Sequence, residues 1–144
     1  MILIPFAMPR STKIYGLDTS VFVRLLTGHP ESDFQKTVAD LKKLHDMDPA
    51  TELVVSNQVI GEAYVTLQHH YEISKADART AILHLFSNGS LAPLNGQSVI
   101  NIFKKEGGAG LIDRLIAQEY TYRNTRTLTN DKRMAKLEGV ELLK

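Results

Sequence analysis

The chain has 144 residues, 43% hydrophobic and 23% charged, enough to bury a core without staples and unlike the composition of disordered or fibrous proteins. It has no cysteine, which excludes disulfides, zinc–thiolate sites and thiol nucleophiles and agrees with an expected cytoplasmic location. The formal net charge of +1 gives no broad basic footprint, so any nucleic-acid binding has to rest on local residues.

The start, Met1 to Pro9, is apolar but lacks a basic leading segment, and it is too short and too proline-broken for a signal peptide or membrane span. Residues 1–12 are read as an extension or extra docking strand, and residues 13–144 as a single domain. Lys13 to Leu17 reads as a strand ending at Asp18, after which Val21, Phe22, Leu25 and Leu26 recur at the helical period until Gly28-His29-Pro30. Glu31 and Asp33 favour a second helix start, and Phe34, Val38, Leu41 and Leu44 give that helix one apolar face. Leu53-Val54-Val55 is a short buried-strand pattern, and Ser56 or Asn57 caps a helix through Val59, Ile60, Ala63 and Leu67 that carries Glu62 in its second turn.

Ser74 caps the next helix, with Ala78, Ile82, Leu85 and Phe86 on one face, and Asn88-Gly89-Ser90 closes it. Leu91 to Leu94 reads as a strand near an edge because of Pro93, and Val99, Ile102 and Phe103 mark a short helix. The loop Gly107-Gly108-Ala109-Gly110 lacks the ending of a phosphate-binding loop and is read as a flexible connection. A helix over Leu111 to Tyr122 follows, with Ile112, Leu115 and Ile116 as its apolar stripe, then a strand at Arg126 to Thr129, a helix over Asp131 to Leu137 and a last strand at Val140 to Leu143. Strands alternating with helices predict an α/β fold: a mainly parallel sheet of four to five strands with helices on both faces.

Asp18 and Asp131 follow predicted strands, and Glu62 projects from a helix leaving the same edge. Ligands of open α/β sheets bind outside the carboxyl ends of the strands, so these acids can converge. Asp113, beside apolar Ile112 in a first helical turn, is a fourth candidate. Four carboxylates in one cleft repel unless protons or a cation intervene. Oxygen-only donors point to Mg²⁺ or Mn²⁺ rather than zinc, and such ions hold phosphates and activate water. Taken singly, Asp18 also reads as a helix cap, Glu62 as a solvated surface residue, and Asp113 and Asp131 as complements to helix dipoles.

Four stretches, Leu17-Asp18-Thr19-Ser20, Ile60-Gly61-Glu62-Ala63, Leu111-Ile112-Asp113-Arg114 and Thr129-Asn130-Asp131-Lys132, resemble the acidic motifs of PIN-domain nucleases in order and cover nearly the whole chain. The resemblance implies a PIN-like three-layer sandwich and a metal-dependent endoribonuclease in which Asp18, Glu62, Asp113 and Asp131 are catalytic and hold Mg²⁺ or Mn²⁺. Thr19 or Ser20, and Thr129, match the family's supporting hydroxyls, which can bond a carboxylate or metal-bound water. Compact members are similar to VapC-type toxins of toxin–antitoxin pairs, which implies an RNA substrate, a homodimer and an antitoxin partner; no membrane association is expected, since no apolar segment is long enough to span one. Arg114 departs from the small residue expected there; with Arg24, Lys132 and Arg133 it is a candidate contact to the RNA backbone.

Alternatives are a PIN-fold RNA-processing nuclease outside a toxin pair and a non-catalytic RNA- or protein-binding module. An aspartyl-phosphate phosphatase requires an acid two residues after Asp18, where this chain has Ser20. The five histidines have no ligand spacing, and Tyr120 and Tyr122 can stack on bases, though packing is their more ordinary role.

Overall fold

A computed structural model describes residues 13–143; the reading of residues 1–12 as an extension or docking strand lies outside them. In chain order the elements are β1 (Ile14–Gly16), α1 (Thr19–Thr27), α2 (Glu31–Met47), β2 (Glu52–Val55), α3 (Asn57–His69), α4 (Lys75–Ser87), β3 (Ala92–Pro93), α5 (Gln97–Lys104), α6 (Leu111–Tyr122), β4 (Thr127–Thr129) and β5 (Val140–Leu142). Three helices start where side-chain oxygens replace absent backbone acceptors. Asp18 accepts from the Val21 amide, Ser56 from Val59 and Ser74 from Asp77. α1 stops at Gly28, whose φ of 65° lies in the left-handed region that glycine enters without a Cβ clash.

Every strand pairing among the described residues is parallel, as expected of an α/β fold. Among the described residues the five strands fall into two ladders, β1-β2-β3 and β4-β5, instead of one hydrogen-bonded sheet. β1 and β2 register Ile14 with Glu52 and Gly16 with Val54, and the Leu17 amide extends the ladder to the Val54 carbonyl at 2.9 Å. Asp18 therefore lies one residue beyond the last β1–β2 hydrogen bond, at the carboxyl end of the sheet. Pro93 takes the edge position in β3, where its missing donor is tolerated.

α3 is the hub of the helical packing and touches α1, α4 and α6. Phe22, Val55, Ile60, Leu67, Ile82 and Val99 are fully buried at the centre of the core, with Phe22 stacked on Phe86 at 5.7 Å between ring centroids. Side chains of this size contribute about 1.5–3 kcal/mol each on burial, so the α1–α3–α4 contacts make the edge beside Asp18 rigid. A smaller cluster of Ala117, Met134 and Val140, with Leu137 against it, joins α6 to β5.

The helix expected over Asp131 to Leu137 is only a 3₁₀ turn at Met134–Lys136. The Asp131 carboxylate caps the Arg133 and Met134 amides, and Leu137 bonds back to the Met134 carbonyl three residues earlier, so the chain tightens instead of propagating an α-helix. The glycine loop expected to be a flexible connection is instead clamped. The Arg79 guanidinium donates to the Phe103 and Lys105 carbonyls, and Arg114 donates to those of Lys105 and Gly107. These guanidiniums satisfy carbonyls at and beyond the end of α5, which a helix C-terminus leaves unpaired.

Candidate active site

At the carboxyl end of β1, Asp18 is both cap and candidate ligand. Its Oδ1 accepts from the Ser20 hydroxyl at 2.7 Å and from the Val21 amide at 3.2 Å. The Ser20 hydroxyl, and then the Val21 amide, hold the carboxyl below its ordinary value, against a smaller opposing effect of burial. A carboxylate offers about four acceptor positions, so capping leaves capacity for other partners.

Thr19 leads across to α3. Its hydroxyl donates to Glu62 Oε2 at 2.5 Å, a bond between residues 43 positions apart. The Gln58 amide, one turn earlier on α3, donates to Glu62 Oε1 at 3.3 Å. Thr19 first, then Gln58, keeps the Glu62 carboxyl below its ordinary value. Two ionised carboxylates, one after β1 and one on the helix after β2, are thus tied to one edge by a single threonine. Of the two hydroxyls expected to support the first acid, Ser20 bonds Asp18 and Thr19 bonds Glu62.

Asp113 and Asp131 are placed differently. Asp113 is half-buried in the first turn of α6 and has no side-chain hydrogen bond among the described residues. Its neighbour Ile112 packs on the residue before Glu62: a Cβ built on Gly61 would lie 3.2 Å from Ile112 Cδ1. Asp131, exposed after β4, uses Oδ1 to accept from the Arg133 and Met134 amides at 2.8 and 2.9 Å. The Thr129 hydroxyl accepts from the Asp131 amide at 3.0 Å and so shapes the turn rather than bonding the carboxylate. Among the described residues no group of three or more His, Cys, Asp or Glu side chains is arranged to hold a metal ion. The ionised oxygen donors at Asp18 and Glu62 fit in kind a hard divalent ion, which binds through one or two carboxylates and keeps several waters.

Of the basic candidates, Lys132 and Arg133 are exposed beside Asp131 and have no ion pair among the described residues. Arg24 is half-buried, with Nη2 3.9 Å from Asp33 on α2. Arg114 is buried, and its guanidinium is engaged with the Lys105 and Gly107 carbonyls. Against the expectation of an Arg114 phosphate contact, Arg114 serves as a loop anchor: both terminal guanidinium nitrogens are directed at backbone oxygens, while the buried Nε has no partner among the described residues.

A groove of about 790 Å³ opens beside Glu62, between α3 and α6. Val65, Ile116 and Tyr120 form much of its exposed apolar wall, and Glu119 supplies a carboxylate. The sequence reading missed Glu119, although it falls one helical turn beyond Leu115 and two beyond Ile112 on the stripe facing α3. It also missed a buried amide network in which Asn57 donates to the Leu115 carbonyl and to Gln118 Oε1, while Asn95 donates to Gln118 and Glu119. This network fixes α6 against the start of α3 and the end of β3.

The family model for the PIN domain matches residues 15–140. The chain belongs to the PIN-domain family. PIN domains are generally nucleases, so membership supports a nuclease-type hydrolase acting on RNA. No curated protein matches the chain. As a PIN domain with parallel strands and six helices among the described residues, it has the α/β sandwich expected of that family. No helix among the described residues is long and apolar enough to cross a membrane.

Proposed function

We propose that the chain is a metal-dependent endoribonuclease whose single domain spans residues 13–144, with Asp18, Glu62, Asp113 and Asp131 as its acidic residues. The reading rests on one observation above all: Thr19 ties Glu62 to the strand end that carries Asp18, within a chain matched by the PIN family. Asp18 and Glu62 would hold Mg²⁺ or Mn²⁺, and Asp113 and Asp131, on the neighbouring elements, would complete the acidic edge when metal and RNA are bound. When bound, the ion supplies a water of lowered pKa and neutralises charge on the phosphoryl oxygens.

The protein's own part is positioning. Ser20 and the Val21 amide orient Asp18; Thr19 and Gln58 orient Glu62 and keep it ionised. Lys132 and Arg133 lie beside Asp131 with ammonium and guanidinium groups that have no ion pair among the described residues and suit flanking phosphates, with Arg24 a weaker third. Within the family the chain is proposed to be the cytoplasmic toxin of a toxin–antitoxin pair, a homodimer restrained by an antitoxin. A neighbouring gene for a small DNA-binding protein with a disordered tail supports that role; an isolated gene favours RNA processing.

Among the described residues the four acids form no three-acid cluster, which favours one second reading, a non-catalytic RNA- or protein-binding module. One assay separates the two. RNA incubated with the protein and Mg²⁺ or Mn²⁺ is cut internally if the enzyme reading holds, and EDTA abolishes the cutting. Intact RNA at high protein concentration with either metal refutes it.

A further inference from the structure

The α3–α6 groove is large enough for a small ligand, and its polar lining has an unusual sign for a nucleic-acid enzyme. Its polar lining is Glu62 and Glu119, the amides of Asn57 and Gln58 and the hydroxyls of Thr19 and Thr66, and among the described residues no lysine, arginine or histidine lines it. A phosphate is unfavourable there. A flat, uncharged group with apolar faces and N–H donors on its rim is complementary. Val65, Ile116 and Tyr120 present the apolar surface, each more than two-fifths exposed. Glu119 is held in place by Asn95 on Oε1 and by Arg123 on Oε2, both at 3.1 Å, and each oxygen keeps acceptor capacity.

We propose that this groove is a nucleobase subsite: an unpaired base next to the scissile phosphate stacks on Tyr120 and donates its exocyclic amino group to Glu119. The inference rests on the ribonuclease reading, and it names the part of the substrate that the groove selects. Glu62 lies at one side of the groove, so a base seated there keeps its own phosphate near the acidic edge. The carboxylate discriminates by chemistry. Cytosine offers an N4 amino group where uracil has a carbonyl, which faces Glu119 with repulsion instead of a hydrogen bond.

The test is a binding titration in Mg²⁺, which offsets the acidic edge, using fluorescent cytidine and uridine tetranucleotides with non-cleavable linkages. The wild-type protein is expected to bind the cytidine probe about tenfold tighter, the size of one charge-assisted hydrogen bond. Tyr120→Ala weakens both probes by about tenfold, as loss of one stacked base does; Tyr120→Trp restores both. Glu119→Gln, which can donate as well as accept, erases the difference between them. Thermal melting confirms that each variant folds. Equal binding of the two probes by the wild-type protein, or affinities unmoved by Tyr120→Ala, overturns the subsite. So does dissociation of a dimer by Tyr120→Ala with RNA affinity unchanged, which assigns the groove to a second copy of the chain. Base discrimination with no cleavage in Mg²⁺ or Mn²⁺ keeps the subsite and overturns the catalytic reading instead.

Discussion

The α1–α3 edge and the α6–β4 edge each carry two of the four acids, and they are built in opposite ways. At the first edge, a side-chain bond crosses 43 residues to join Thr19 to Glu62, over a core that fixes both helices. At the second, Asp131 caps its own turn and Asp113 stands without a side-chain partner among the described residues. An acid tied across the fold has its position set by tertiary packing before any ligand arrives. One held by its own turn is placed by local geometry, and a ligand has to supply the convergence. The first edge is thus the pre-organised half of the proposed site, and the second is the half completed by metal and substrate.

The largest expected effect breaks that comparison at its base. Glu62→Gln and Asp131→Asn should each lower the rate of RNA cleavage by more than about a hundredfold, beyond the ten- to hundredfold typical of outer partners of a metal site. If Asp131 is a cap alone, Asp131→Asn leaves single-turnover cleavage intact, because Asn caps nearly as well. Next comes Thr19→Val, which removes the link between the two elements. Cleavage should fall about ten- to hundredfold. The Glu62 carboxyl, now lowered by Thr19, moves back toward 4.5, so the acid limb of the pH–rate profile shifts to higher pH. An unmoved limb would show that the bond does not govern Glu62 in solution.

Arg114→Met sharpens the contrast between positioning and phosphate contact. Losing hydrogen bonds from a charged donor to the Lys105 and Gly107 carbonyls should cost about 1.5–3 kcal/mol, read as a lowered melting temperature, with little change in the salt dependence of RNA binding. A reduced salt slope with unchanged stability would return Arg114 to the phosphate contacts. The smallest effect concerns acid stability. Asp18 is held below its ordinary 3.8 in the folded state, so its contribution is fully present above that pH and is lost as pH falls through the lowered value. Asp18→Asn keeps a capping oxygen but has no proton to gain, so its stability should fall less steeply below about pH 4. Parallel acid melts of the two proteins would refute the cap as the source of the shift.

What the sequence made legible follows the range of the interactions. The helical stripe of Phe22, the caps at Asp18, Ser56 and Ser74, and proline at the edge of β3 are local rules, and the structure obeys them. The 3₁₀ turn after Asp131 was misread as a helix because its apolar spacing does not reveal that Asp131 caps two successive amides. Arg114 read as a candidate RNA-backbone contact because nothing nearby in sequence shows that Lys105 and Gly107 leave carbonyls unpaired. The partner of Thr19 was hidden for the same reason: a bond over 43 residues exists only once α1 packs on α3. Glu119 is readable from helical spacing alone, four residues beyond Leu115 and seven beyond Ile112, although it follows no strand.

The central claim is that the edge joined by Thr19 holds the metal. Its most direct test is Mn²⁺ binding, followed by the loss of the free-ion paramagnetic resonance signal, in the wild-type protein, Asp18→Asn and Glu62→Gln with a non-cleavable RNA present. Saturable binding by the wild-type protein that either substitution weakens at least about tenfold is the predicted result. Equal Mn²⁺ affinity in all three proteins would contradict the account.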